Sequence, residues 1–332
     1  IGSGIDAGSS EYYNGNLDQI RISVGDARYP DGTTFTPSTT PFTTDANTKL
    51  LIQGDWLGGY GADSSGNNKD HHISGIGDDH KSLDTPMNNF ATLNAIWRNH
   101  SGGSVTFSEG NLKNWNQYGD VYWNPTMELP TTGKWYWECY GDANSTRFGL
   151  LMADRPGTTN PTPTTGGKIW YWDSNGVNYP YGTVVNGTVY TSGTICGIGV
   201  DVDAGEIKFY KNGVLLYTGT NLNSEGYEFL RPIFWHTDGS TIWANFGQDS
   251  TFAGTKVGGA AAQDANNVGD FYYAPPAGHL ALCTKNLQTS TITDPSEHMN
   301  TVLYTGTGSP LNVGGVGFKP DLVWLKSRSA AD

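Results

Sequence analysis

The chain has 332 residues, 45 of them glycine and 16 proline, with aromatic residues at 12% and charged residues at 15%. A formal net charge of −13 excludes a nucleic-acid partner held by phosphate neutralisation, and no apolar run approaches the length that spans a bilayer. No convincing stretch carries a helical period, so turn formers alternating with aromatic segments predict an all-β chain.

In chain order, the segment 1–54 supplies Leu17, Ile20 and Ile22 on one strand-like run and Leu50-Leu51-Ile52 on a second. Two strands cannot bury a core alone, so this segment is expected to need further strands. Its phrases YNGNLDQIRIS, ARY, FTP and TKLLIQGD resemble the last strands of a laminin-G-like, concanavalin-like jelly roll. That resemblance implies that most of such a domain lies upstream of Ile1.

Residues 55–120 read as a polar connector. Within it, DHHISGIGDDH gathers Asp70, His71, His72, Asp78, Asp79 and His80, all of metal-ligand type. Adjacent histidines on an extended segment point to opposite faces, which denies a metal its convergent donors, so no metal site is expected. The phrases ADSSGNNKDHHISGI, DTPMNNFATLNAIW and FSEGNLKNW resemble connecting segments of large virion proteins of marine bacteriophages, where they precede a SPRY domain.

Residues 121–252 read as strand, turn, strand throughout. GKWYWECYG alternates Trp135, Trp137 and Cys139 against Tyr136, Glu138 and Tyr140, and RFGLLMADRP gives another strand. In ICGIGVDVDAGEIKFYKNGVLLYTG, apolar Ile195, Ile198, Val200 and Val202 lead to a turn at Asp203-Ala204-Gly205. Ile207 and Phe209 then alternate with polar neighbours, and Asn212-Gly213 signals a type I′ hairpin, whose two central residues need positive φ. FLRPIFW and TIWANFGQ close the series. In that order the blocks resemble a SPRY domain, which implies two antiparallel sheets packed as a bent β-sandwich. Residues 253–273 are expected as a linker. Residues 274–332, with PPAGHLALCTKNL, NTVLYTGTG and VGGVGFKPDLVWLKSRSAAD, resemble the opening of a further β-module in the same phage proteins. The expected fold is an antiparallel β-sandwich, SPRY-like and concanavalin-like, with partial β-modules at both ends, within a longer protein.

Little in the chain reads as catalytic. Cys139, Cys196 and Cys283 are odd in number and lack metal or paired spacing, so they are expected as reduced, buried thiols. No Gly-x-Ser-x-Gly, phosphate-cradling Gly-Lys-Thr/Ser or His-Glu-x-x-His motif occurs. Asp201, Asp203 and Glu206 are close enough in sequence to suggest a carboxylate pair, but a hairpin explains them better, with Asp203 in an Asx turn. His236 is expected to be incidental. The aromatics of KIWYWDSNGVNYPYG remain as ligand-binding candidates: Trp170, Trp172, Tyr179 and Tyr181. Facing inward, the tryptophans are core; at the loop end of the sandwich, flat rings stack on sugars or grip protein.

The phage resemblance implies a non-enzymatic structural protein of a virion, fibre-like or appendage-like, assembled in the host cytoplasm and displayed on the particle. Other virion subunits and further copies of the chain are its expected partners, with a host surface glycan or receptor as ligand and no cofactor. The alternatives are a carbohydrate-active enzyme of the polysaccharide depolymerase kind and an intracellular SPRY adaptor that binds a peptide.

Overall fold

A computed structural model describes the chain except residues 1–2, 7–8, 13–16, 31–33, 39, 55–58, 73–81, 86–87, 101–104, 118, 120, 154–166, 181, 223–228, 237–238, 289–291, 293 and 328–332. In chain order the strands are β1 (Ser3–Asp6), β2 (Ser9–Tyr12), β3 (Ile20–Ser23), β4 (Thr48–Ile52), β5 (Leu93–His100), β6 (Val105–Ser108) and β7 (Lys113–Asn116). They continue as β8 (Val121–Pro125), β9 (Lys134–Gly141), β10 (Arg147–Ala153), β11 (Gly167–Asp173), β12 (Gly176–Asn178) and β13 (Val184–Asn186). The rest are β14 (Ile195–Asp201), β15 (Glu206–Lys211), β16 (Val214–Gly219), β17 (Phe229–His236), β18 (Thr241–Asn245) and β19 (Leu280–Ala281).

Two small antiparallel pairs, β1 with β2 and β3 with β4, precede two large sheets. One large sheet runs β13-β12-β11-β10-β17-β8-β5, and the other runs β16-β15-β14-β9-β18-β7-β6 with β19 added to β9. The core between them follows from side-chain alternation. Trp135, Trp137 and Cys139 of β9, Cys196, Ile198 and Val200 of β14, and Ile207 and Phe209 of β15 point inward. They meet Phe148, Leu150 and Met152 of β10, Trp170 and Trp172 of β11, and Phe234 of β17. Each such side chain contributes roughly 1.5–3 kcal/mol by leaving water. The expected hairpin is present, with Asn212 at φ 49° and Gly213 at φ 79°. The opposite face of the first sheet is apolar as well: Tyr122, Leu151, Ile169, Tyr171, Ile233 and Trp235 form a second buried cluster. Strands buried on both faces lose polar alternation. That is why FGLLM and IWYW read as continuous apolar runs.

Cys139 and Cys196 lie directly opposite each other across β9 and β14. Val202 N–H donates to Gly133 O at 2.9 Å, and this fixes which rungs of the ladder are hydrogen-bonded. Counting by twos along the register, the cysteine rung is one of them. Such pairs sit roughly 5.5 Å apart at Cα with Cβ atoms toward the wide end of the range, whereas a disulfide favours Cβ atoms about 3.8 Å apart. Both thiols are free and buried, and burial pushes both well above the ordinary thiol range.

Residues 253–283, expected as a linker and the opening of a new module, lie against the sandwich instead. Val268, Phe271, Ala281, Leu282 and Cys283 are buried in its core cluster. The edge of β9 is shared: β18 pairs with Glu138 to Gly141, and β19 pairs in parallel with Trp135 and Tyr136. Between these two partners, the buried Glu138 carboxylate accepts the N–H groups of Tyr272 and Tyr273 at 2.8 Å each. It also accepts Asn245 Nδ2 and the Tyr136 hydroxyl, both at 3.2 Å. The chain at 271–281 crosses the outer face of β14, where Gly197 and Gly199 leave room. A Cβ on Gly197 would meet the Tyr136 hydroxyl at 2.5 Å, and one on Gly199 would meet His279 Nε2 at 3.1 Å. The polar connector also contributes, since Phe90, Ala91 and Leu93 are core residues and Phe90 bridges to Cys283.

Residues Gln288–Asp332 form a separate unit. Its one described helical turn, Pro295–Glu297, is capped by Asp294, whose side chain accepts Ser296 N–H. Leu322, Val323, Trp324 and Leu325 of this unit are exposed.

Burial pushes Glu138 up to about 7, against the pull of its four donors. Between its ordinary 4.5 and about 7, the folded chain holds a proton that the unfolded chain releases. The contribution of Glu138 to stability is therefore expected to fall as pH rises through that window, by no more than about 1.4 kcal/mol per pH unit. Denaturant titrations at several pH values check this: the stability of the wild-type chain relative to Glu138→Gln is expected to fall between pH 4.5 and about 7, and a difference that does not change with pH would contradict it.

Candidate functional site

The aromatic candidates stand where the two sheets meet at one open edge of the sandwich. Trp170 of β11 is 3% exposed, and Trp172 is fully buried. Trp172 donates its indole N–H to Thr188 O at 2.7 Å and meets Tyr190 edge-on at 5.4 Å. The two tryptophans are therefore core residues, the inward-facing alternative of the two: both project between the sheets and neither is on the surface as a ligand contact. Tyr179 is half-buried and stacks on Trp170, with ring centroids 4.2 Å apart and planes 7° from parallel. Tyr181 lies outside the described residues. Trp170 also reaches across to the second sheet, with Tyr217 of β16 at 6.0 Å and a Cβ on Gly219 destined to meet its ring at 2.4 Å. The stack is thus the seam that joins β11 and β12 to β16. Phe107 against Trp123, 4.6 Å apart, joins the sheets on the opposite side.

Outside this seam the rim is apolar and uncharged. Edge strand β13 exposes Val184 and Val185, with Val189 just beyond it, and edge strand β16 exposes Val214 at 70% and Leu215 at 52%. Each of these strands has one strand neighbour among the described residues, so its outer backbone groups face outward. Such an edge is a ready template for another chain unless charge or proline blunts it, and here Val-Val and Val-Leu-Leu-Tyr occupy the positions where lysine is usual. Sequence reading overlooked these residues, although the uncharged edges were visible in the string.

The carboxylates of the β14–β15 turn are engaged within the protein. Asp201 binds Lys134 at 2.8 Å and accepts Ala204 N–H at 3.0 Å. Burial raises its pKa, but these partners win and hold it below the usual carboxylate range. The Asx turn thus belongs to Asp201, while Asp203 reaches across to accept Gly133 N–H at 3.1 Å. Glu206 pairs with Lys208 at 2.8 Å. In the His-rich connector, Asp70 accepts Asp63 N–H, and Asp78, Asp79 and His80 lie outside the described residues. Among the described residues, no three His, Cys, Asp or Glu side chains converge as metal donors. His236, expected to be incidental, is fully buried. Its Nε2 lies 2.7 Å from Asn114 Oδ1, and its Nδ1 lies 3.0 Å from the Ser240 hydroxyl and 3.1 Å from the Ser240 carbonyl oxygen. Asn114 is oriented for this because its Nδ2 donates to Thr106 O at 3.3 Å. Both ring nitrogens are used structurally, with none left for acid–base work on a ligand.

Among known families, residues 134–249 match the SPRY domain, and residues 294–332 match a domain of unknown function, DUF7483. No curated protein matches the chain. Among solved structures, the chain is similar to the SPRY domain of human HERC1, at 15% identity and a TM-score of 0.35, over 46% of this chain and 96% of that one. It is also similar to the TRIM65 PSpry domain, at 17% identity and a TM-score of 0.32, over 47% of this chain and 92% of that one. SPRY domains are generally non-enzymatic binding modules.

Two outcomes follow from the seam and the buried imidazole. Gly219→Ala is expected to cost about 1–3 kcal/mol by forcing a methyl into the Trp170 ring; an unmoved denaturation midpoint would contradict the packing. Burial pushes His236 down to about 4 from 6.5, so the unfolded chain takes up a proton between those values that the folded chain refuses. The contribution of His236 to stability is expected to fall as pH drops from 6.5 toward 4, so calorimetry is expected to show the wild-type chain losing stability relative to His236→Gln over that range, and a constant difference would contradict it.

Proposed function

We propose that this chain is a non-enzymatic structural segment of a bacteriophage particle, fibre or appendage, whose SPRY body binds a protein partner along the open rim. The observation that carries the reading is the uncharged rim itself: Val184, Val185, Val214 and Leu215 stand exposed on two edge strands braced from within by Trp170 and Tyr179. Main-chain groups at such an edge supply affinity, and alternate side chains supply selectivity. The carboxylates and His236 are tied to structural partners, which supports binding rather than turnover. The particle setting rests on the connector phrases ahead of the SPRY blocks, which resemble those of phage virion proteins. In this reading the partner is another virion subunit or a second copy, and the protein sits on the particle surface.

Cross-linking mass spectrometry on particles that carry the chain checks this. Peptides spanning 176–190 or 214–219 are expected to join a second virion polypeptide or a second copy. The pair Val185→Glu and Leu215→Glu is expected to remove those links while shifting folding stability by no more than about 0.5 kcal/mol each. A chain absent from purified particles, links that survive both substitutions, or release of sugar from host polysaccharide would overturn the proposal.

A further inference from the structure

A second site lies within the segment 17–54 and does not depend on the rim. Strand β3 carries Arg21 and Ser23, and the loop after it carries Asp26, Arg28 and Tyr29; with Phe42 they line a cleft of about 280 Å³. Arg28 is committed within the protein. Its Nε donates to Ser23 Oγ at 2.6 Å, and its terminal nitrogens reach Asp45 and Asp26.

Arg21 is different. Its guanidinium lies 4.2 Å above the centroid of the Phe42 ring, and among the described residues it has no carboxylate or hydrogen-bond partner. Arg28, Arg147 and Arg231, by contrast, each hold a carboxylate. A guanidinium with no carboxylate among the described residues is notable in a chain of net charge −13. The backbone that carries this ring is held on both sides: Phe42 N–H donates to Gln19 Oε1, and Phe42 O accepts Gln53 Nε2 at 3.4 Å. Stacking on a fixed ring orients the planar fork and leaves its N–H donors free for a bidentate acceptor. Beside it, exposed Tyr29 packs with Phe35 at 4.2 Å, presenting a flat apolar surface to the cleft. Ser23 accepts a hydrogen bond from Arg28 and so keeps its own hydroxyl proton to donate.

We infer that this cleft binds an acidic sugar, a hexuronate-type unit whose carboxylate takes the Arg21 fork while its C–H face lies on Tyr29. The site offers two handles, one cationic and one flat. A bare anion uses only the first, a neutral sugar only the second, and a glutamate side chain has no ring face to lay down.

Isothermal titration calorimetry on the full 332-residue chain tests the assignment, with four probes: a glucuronate-containing tetrasaccharide, a neutral tetrasaccharide, inorganic phosphate and an oligoglutamate peptide. Saturable binding of the acidic saccharide alone is expected. Arg21→Ala is expected to weaken it at least about tenfold, Arg21→Lys less, because a point charge replaces the fork. Tyr29→Ala is expected to weaken it as well, with the unfolding temperature of each variant unchanged. No binding by the wild-type chain, full binding by Arg21→Ala, or equal binding of phosphate, peptide or neutral sugar would overturn the inference.

Discussion

A carboxylate without water must be surrounded by donors, and Glu138 shows how much architecture one such requirement can organise. It stands on the most central strand of the second sheet, at the point where β18 stops pairing and β19 has not begun. An unpaired charge there would cost several kcal/mol, and the four donors that offset this come from Tyr136 on its own strand, Asn245 on β18, and the backbone of Tyr272 and Tyr273. Meeting the demand draws residues 271–273 down onto the sheet. Phe271 then packs against Tyr136 at 5.2 Å, and the chain that follows lays His279 over Gly199. The outer layer of the second sheet is therefore an electrostatic consequence of one buried acid as much as a hydrophobic one.

With both large sheets covered on their broad surfaces, what remains for recognition is the perimeter. One seam is closed by Trp170, Tyr179 and Tyr217, the other by Phe107 and Trp123. The first seam is flanked by apolar, uncharged edge strands, and so combines a rigid interior with an adhesive exterior. That combination suits a binding module whose chemistry is shape and main-chain pairing. The Arg21 cleft is of another kind, built from one oriented cation and a ring and lying at β3 rather than at the sandwich edge.

How much of this was legible depended on whether each element is stabilised locally. The β14–β16 meander was readable because its turns carry their own signals: Asn212 and Gly213 adopt the positive φ that their residue types favour, and Ile207 and Phe209 alternate cleanly. Strands β6, β7 and β19 were not, being four, four and two residues long, with the β6–β7 hairpin joined to the sheet only through distant β18 and β19 only through distant β9. The segment around Phe271 looked like a linker because its tie to Glu138 spans 134 residues. For Trp170 and Trp172 the sequence left core and ligand contact both open, because β11 is buried on both faces and its string of aromatics shows no polar side. Gly197 and Gly199 read as generic strand glycines until the chain crossing above them is known.

The shared edge of β9 also bears on how such a body comes into being. Phe90 bridges Cys283, and Asn89 N–H donates to the Thr284 hydroxyl, closing a loop of 195 residues. At roughly 5–20 residues per second of synthesis, about 10–40 s separate the appearance of those two ends from the ribosome. During that interval the tryptophan-rich strands have no lid. Until its last tie arrives, a nascent chain of this design carries its apolar strand faces without the segment that later closes over them.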